Sequence, residues 1–268
     1  MSPIDIRKIK GLGRKMLYGL PPWAASPVAY AGAELGIWGQ IQELYCRLGC
    51  PRKILSGPFR GMSWEPADAG GAWLAKIIGT YELELHPSIT NLERGSFEVL
   101  VDIGCADGYY AVGLAKLLDI PKVRAFDTDF HALECLKGNI RKNSLETQFQ
   151  INNFCSPDHL DSALDVDGKR LVLCDIEGAE MQVLDPQACP RLRLADILVE
   201  VHDFPPPGII GKTLRDRFAS SHLISSIQTV PRCPQDLPQE ALALIHEWEL
   251  AINEDRTAAM EWLWLKPR

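Results

Sequence analysis

No run of about eighteen uncharged apolar residues occurs anywhere in the chain, so no membrane-spanning helix is expected. The opening residues, Met1-Ser2-Pro3-Ile4-Asp5, lack the basic segment and apolar stretch of a secretory signal, and the expectation is a cytoplasmic protein. Positive charge is scarce: 28 Lys and Arg stand against 35 Asp and Glu, for a formal net charge of -7 and a pI near 5.4. A protein that grips nucleic acid over a broad face needs clustered Lys and Arg, so nucleic acid is not an expected partner. The eight cysteines fall at irregular spacing, with Cys105, Cys135 and Cys174 inside apolar segments, which argues for reduced thiols rather than a disulfide framework. Cys46 and Cys50 are the one close pair, and no second pair follows to complete a zinc site. Internal repeats and low-complexity tracts are missing as well.

The remaining composition, 46% hydrophobic and 24% charged, is that of an ordinary globular protein long enough for one large α/β domain with an elaboration. One local exception to the acidic balance is the segment carrying Arg7, Lys8, Lys10, Arg14 and Lys15 among Ile6, Ile9, Leu12, Met16 and Leu17. It reads as a short amphipathic helix weakened by Gly11 and Gly13, a solvated first helix in preference to a membrane-surface contact.

The most informative stretch is Val99-Leu-Val-Asp102-Ile-Gly104-Cys105-Ala106-Asp107-Gly108-Tyr109-Tyr110. Phe97 to Ile103 is apolar and β-branched enough for a buried parallel strand, and Tyr110 to Leu118 repeats apolar residues at helical spacing. Between them the glycines allow a sharp turn and a close approach to a ligand. Asp102-x-Gly104-x-x-x-Gly108 is not the G-x-G-x-x-G dinucleotide fingerprint, and an acid before the first glycine would repel a phosphate. It suits a cofactor bearing positive charge, such as the ammonium and sulfonium of S-adenosylmethionine (SAM).

At these residues the chain resembles the class I SAM-dependent methyltransferases, whose first motif reads acid-x-Gly-x-x-x-Gly. The resemblance implies cofactor contacts from Asp102, Gly104, Cys105, Ala106, Gly108 and Tyr109. Lys122-Val-Arg-Ala-Phe126-Asp127 matches that family's second strand and its terminal acid, so Asp127 is the position implied to accept hydrogen bonds from the ribose hydroxyls. Asn152, Asn153 and Phe154 follow the third strand and are candidates for the adenine pocket. Tyr81 and Glu82, just ahead of this fold, are candidates to close over the methionine end; equally, Tyr81, Leu83 and Leu85 alternate as a half-buried strand would.

From Phe97 onward, strands are expected near 97–103, 122–127, 148–152, 170–176, 195–202, 222–229 and 258–265. Helices lie between the first six, and Leu237 to Glu249 reads as a further helix. This is an α/β, doubly wound, seven-stranded, mostly parallel sheet of Rossmann-like order; the resemblance places the last strand antiparallel between the fifth and sixth. Residues 1–94 do not share the alternation. They read as a mostly helical N-terminal extension capping the site, with a helix from Val28 to Leu48, a hairpin-like segment from Lys53 to Trp64 and a short helix at Trp73 to Ile78. Residues 95–268 then form the SAM-binding domain.

A second pattern is Asp175-Ile-Glu177-Gly178-Ala-Glu180 after one apolar strand and Glu200-Val-His202-Asp203 at the end of the next. It is similar to the FkbM-type methyltransferases, many of which act on sugar or polyketide hydroxyls, and the similarity spans residues 97–204. The long N-terminal part and Asn253-Glu-Asp-Arg256 depart from that family. In an open α/β sheet the crevice lies beyond the carboxyl ends of the strands, which brings these acids to the glycine turn. Methyl transfer is an in-line displacement, so the enzyme must align the acceptor and take its proton. His202 is expected to accept that proton near neutral pH, with Asp175 orienting the acceptor or acting as base and Glu177 beside them. Alternatively Asp175, Glu180 and Glu200 hold a divalent cation, Mg2+ or another.

Structural readings stand beside these. Glu180 suits the first turn of a helix, Glu177 can shape a turn, Glu200 can pair with Arg170 or Arg256, and His202 can be a packed strand-end residue. His131, His159, His222 and His246 are assigned no role. The expected activity is O-methylation of a hydroxyl on a sugar or another small polyhydroxylated metabolite. Rival readings are N-methylation, methylation of a macromolecule, and a catalytically silent SAM-binding module. The acceptor and the oligomeric state, homodimer included, stay open.

Overall fold

The computed structural model describes residues 37–65, 72–203, 208–254 and 260–268. The basic segment 6–17, the first part of the expected 28–48 helix, the prolines of the 203–208 loop and Arg256 lie outside them. The chain divides into two compact units: residues 84–230 with 258–268, and residues up to 83 with 231–257. A linear cut at 94 therefore does not describe the division, because a late segment returns to the early one.

The larger unit holds seven strands: β1 (Phe97–Ile103), β2 (Lys122–Phe126), β3 (Phe149–Asn152), β4 (Lys169–Cys174), β5 (Ala195–Val201), β6 (His222–Gln228) and β7 (Glu261–Pro267). Their order is β3-β2-β1-β4-β5-β7-β6. β1 to β5 pair in parallel, and β7 runs antiparallel to both β5 and β6. The order reverses at β1 and β4, whose carboxyl ends carry the glycine turn and Asp175.

Alternation along the strands explains how acids come to sit in an apolar sheet. Val99, Val101 and Ile103 of β1, Val172 and Cys174 of β4, and Ile197, Val199 and Val201 of β5 enter one core on one face. The intervening residues, Leu100 and Asp102, Leu171 and Leu173, Leu198 and Glu200, belong to the opposite face and are also buried. The helices Tyr109–Leu118 and Phe130–Lys142 follow β1 and β2. The second is capped by Asp129, which accepts from the amides of His131 and Ala132 at 2.8 and 3.4 Å.

The smaller unit contains the helices Ile37–Arg47 and Trp73–Ile78. A single antiparallel bridge, Lys53 to Ser63, closes the expected hairpin-like segment. Tyr45 meets Trp73 edge to face at 5.1 Å, and Arg47 ion-pairs with Glu247 at 2.7 Å. One expectation changes and one gains detail. Tyr81 to Leu85 is a turn and a 3-10 helix, Leu83–Leu85, rather than a strand; five residues of alternation are too few to separate the two. The segment read as a helix from 237 to 249 is mainly a 3-10 helix, Gln239–Glu247, continuing as an α-helix only at Trp248–Ala251. No helix among the described residues is long and apolar enough to cross a membrane.

Candidate active site

The turn after β1 is built from backbone geometry. Gly104 has a φ of +82°, and a Cβ there would come 1.7 Å from the carbonyl oxygen of Asp175, so only glycine lets the ends of β1 and β4 meet. The amides of Gly104 and Cys105 both donate to the carbonyl of Phe126, at 2.9 and 3.1 Å, which ties the turn to the end of β2. Gly108, with a φ of +88°, starts the next helix where a Cβ would strike the side chain of Leu136. Ala106 is held at a φ of +45° and donates its amide to Asp127 Oδ2 at 2.7 Å, while Asp127 Oδ1 accepts from the amide of Asp129 at 2.8 Å. The carboxylate of Asp127 is thus fixed at the mouth of the turn by two backbone donors.

A cavity of about 480 Å³ opens here, within the range of small-molecule sites. Gly104, Ala106, Asp127, Asn153, Asp175 and Glu177 line it together with the apolar Ile103, Phe126, Phe154, Ile176 and Val183. Seven of the expected site residues, Phe154 included, thus meet in one space. Asp102, Cys105, Gly108 and Tyr109 do not line it; the last three are buried parts of the turn and helix start. Asn152 belongs instead to a neighbouring cavity that shares Phe126, Asn153 and Phe154. Ile176 and Val183 are missing from the sequence expectations. Their signal was the apolar spacing around the acids of 175–180, which reads first as packing.

Asp102 is fully buried, and neither carboxylate oxygen has a hydrogen-bond partner among the described residues. Burial holds its pKa well above the ordinary carboxylate range, and the nearby charges of Asp175 and Asp127 add to the effect. A buried acid without a donor, beneath a turn whose rim carries another acid, fits a ligand that brings positive charge.

The acids beyond β4 and β5 gather around one imidazole. Nδ1 of His202 donates to Oε1 of Glu180 at 2.8 Å. Nε2 faces Glu177 Oε2 at 3.5 Å, Asp175 Oδ1 at 3.6 Å and Glu200 Oε2 at 3.7 Å. Burial alone would lower the pKa of His202, but the bond to Glu180 and the charges of Asp175, Glu200 and Glu177 outweigh it and raise the value to about 9. These carboxylates favour the protonated imidazole, which works against His202 as the neutral base of the sequence reading.

Glu180 was expected among metal ligands, yet its Oε1 is engaged by His202 and by the amide of Gly178 at 3.0 Å. The group among the described residues whose donor atoms all lie within 4.8 Å of one another is Asp175, Glu200 and His202. Arg170, considered as a partner for Glu200, instead donates to the carbonyls of Leu164, Val166 and Gly168.

Tyr81 and Glu82 belong to the smaller unit. The ring of Tyr81 lies 4.5 Å from the ammonium of Lys76. Glu82 is fully buried, with its amide donating to Glu254 Oε1 at 3.1 Å. Glu254 Oε1 also accepts from Arg232 at 2.6 and 2.9 Å.

Residues 88–166 match the family model of the methyltransferase small domain, which covers less than half of the chain. No curated protein sequence matches. Among solved structures the chain is similar to precorrin-6y C5,15-methyltransferase from Geobacter metallireducens, at 11% identity and a TM-score of 0.44 over 69% of this chain and 85% of that one. It is also similar to a putative rRNA methylase from Clostridium thermocellum, at 14% identity and a TM-score of 0.45 over 69% and 95%. The TrmK protein of M. capricolum, solved with S-adenosylhomocysteine, aligns at 10% identity and a TM-score of 0.41 over 67% and 66%. With its strand order and its reversed β7 between β5 and β6, the chain has the Rossmann-like α/β methyltransferase fold.

Proposed function

We propose that this protein is a SAM-dependent methyltransferase acting on a hydroxyl of a small polyhydroxylated acceptor such as a sugar. One observation carries the reading: Asp175 lines the same cavity as Gly104 and Asp127 and also stands 3.6 Å from His202, so the cofactor end and the acid cluster share one space. When bound, the cofactor supplies a methyl group on a sulfonium that an acceptor oxygen displaces in line. Asp127 accepts from the ribose hydroxyls, the buried, unpartnered carboxyl of Asp102 favours the cationic end, and Ile103, Phe126 and Phe154 offer apolar surface to the adenine. Asp175 is the carboxylate placed to hold the acceptor hydroxyl and take its proton. His202, held by Glu180 at Nδ1, keeps that carboxylate oriented. The family-model match over 88–166 and the FkbM-like pattern at 175–180 and 200–202 support the choice of reaction and of a hydroxyl acceptor. The acidic charge of -7 supports a small acceptor over RNA.

The test is transfer of labelled methyl from SAM across a panel of sugars, polyols, amines and RNA, with products read by mass spectrometry. Methylated hydroxyl product is expected, reduced about 100-fold or more in kcat by Asp175→Asn with S-adenosylhomocysteine binding within about threefold. Turnover confined to amines or RNA, binding without turnover on any acceptor, or full activity of Asp175→Asn would overturn it.

A further inference from the structure

We infer that the acid cluster is a metal centre for a first-row divalent cation of the zinc or manganese kind, ligated by Asp175, Glu200 and His202 and oriented by Glu180. This deepens the methyl-transfer reading and rests on it for the ion's purpose.

The distances carry the inference. Nε2 of His202 lies 3.6 Å from Asp175 Oδ1 and 3.7 Å from Glu200 Oε2, too far for a well-made hydrogen bond. Two ligand atoms each about 2.0–2.2 Å from a tetrahedral ion are about 3.3–3.6 Å apart. These two separations are at or just above the upper end of such a polyhedron's edges, and all three donor atoms lie within 4.8 Å of one another. The other ring nitrogen is held at 2.8 Å by a carboxylate with no exposure, the arrangement that fixes the tautomer of a metal-bound imidazole and presents Nε2 to the ion.

Burial points the same way. The side chains of Glu200 and His202 are each 6% exposed, whereas Asp175 is 30% exposed and opens on the cavity. Two ligands are buried at the end of β5 and the third faces the acceptor space, the side from which an acceptor would reach the ion. Oε2 of Glu180, a side chain with no exposure, has no hydrogen-bond partner among the described residues. A ring nitrogen with two carboxylates selects zinc or manganese over magnesium or calcium, which prefer all-oxygen sets. An ion there would acidify an acceptor hydroxyl bound to it.

The test uses the full chain stripped with chelator and titrated with Zn2+, Mn2+ and Mg2+ separately, with metal content read by mass spectrometry. One Zn2+ or Mn2+ per chain is expected, with affinity at least 100-fold weaker in Glu200→Gln and His202→Ala and about 10- to 100-fold weaker in Glu180→Gln. Glu200→Gln, close to isosteric, decides the matter should His202→Ala fail to fold. Stoichiometric uptake lost in these variants supports the centre. No uptake, or uptake unchanged in Glu200→Gln, overturns it. S-adenosylhomocysteine binding on the same samples separates the two claims: binding kept without ion uptake overturns the metal centre alone, and absence of both overturns the methyl-transfer reading as well.

Discussion

Glu180 Oε1 and His202 Nδ1 are 2.8 Å apart, and neither side chain is more than 6% exposed. The acid opens a four-residue helix after β4 and the histidine follows β5, so the contact joins two neighbouring strand ends across 22 residues of sequence. Removing Glu180 takes away the acceptor of Nδ1 while Asp175, Glu177 and Glu200 still face Nε2, so the cost is at most that of a broken buried pair, about 3–5 kcal/mol. Glu180→Ala should therefore lower the denaturant midpoint strongly, and Glu180→Gln, which keeps an acceptor oxygen for Nδ1, should cost less. Equal and small effects in urea melts of the two variants would contradict the pairing.

Asp102 sets function against stability. Its fully buried carboxyl has no donor, and burial raises its pKa, so the folded state retains a proton that the unfolded chain loses above its ordinary value near 3.9. Stability from this group is greatest at low pH and declines as pH rises through the folded value. Asp102→Asn removes that penalty. A rise of about 2–4 °C in Tm at pH 8, worth about 1 kcal/mol, is expected together with weaker S-adenosylhomocysteine binding. A variant less stable than the parent at pH 8 would show that the acid has a stabilising partner.

Two glycines make a matched pair. Gly104→Ala forces a methyl group toward the Asp175 carbonyl at 1.7 Å and strains a φ of +82°, so a loss of about 2–4 kcal/mol is expected along with ligand binding. Gly138→Ala, inside the helix Phe130–Lys142 with nothing within 4 Å of the added carbon, should gain about 0.5–1 kcal/mol. Thermal melts of both variants check the contrast.

His222 makes the fold acid-sensitive. It is 1% exposed, its Nδ1 meets Ser221 Oγ at 2.8 Å and its Nε2 meets the Ala195 carbonyl at 3.0 Å. Burial lowers its pKa below 6.5, although the Ala195 carbonyl and Asp196 pull the other way. The unfolded state then binds more protons than the folded one, so this contribution is intact above about pH 6.5 and is lost as pH falls through the lowered value. The Tm of His222→Gln should fall less than that of the parent between pH 7 and pH 5. Parallel curves would remove His222 from the acid response.

Much of the sheet was legible because parallel strands buried on both faces read as continuous apolar runs: β1 begins and ends at Phe97 and Ile103 as expected. The turn was legible because Gly104 and Gly108 both require positive φ, and Asp127 because it closes β2 one β-α unit later. Other features depended on partners distant in sequence. Glu180 looked like a helix-start acid or a metal ligand until β5 brought His202 to it, and the basicity of His202 needed three further carboxylates from two segments. The 3-10 form of Gln239–Glu247 keeps an apolar periodicity close to that of an α-helix, which is why the pattern announced a helix there without its type.

The most direct measurement is isothermal titration of the full chain with S-adenosylhomocysteine, beside Asp127→Ala. Saturable one-to-one binding is expected, weakened about 10- to 100-fold in the variant by loss of the carboxylate's hydrogen bonds to the ribose. No heat of binding for the parent chain, or an affinity unchanged by Asp127→Ala, would contradict a SAM site at the end of β1 and β2.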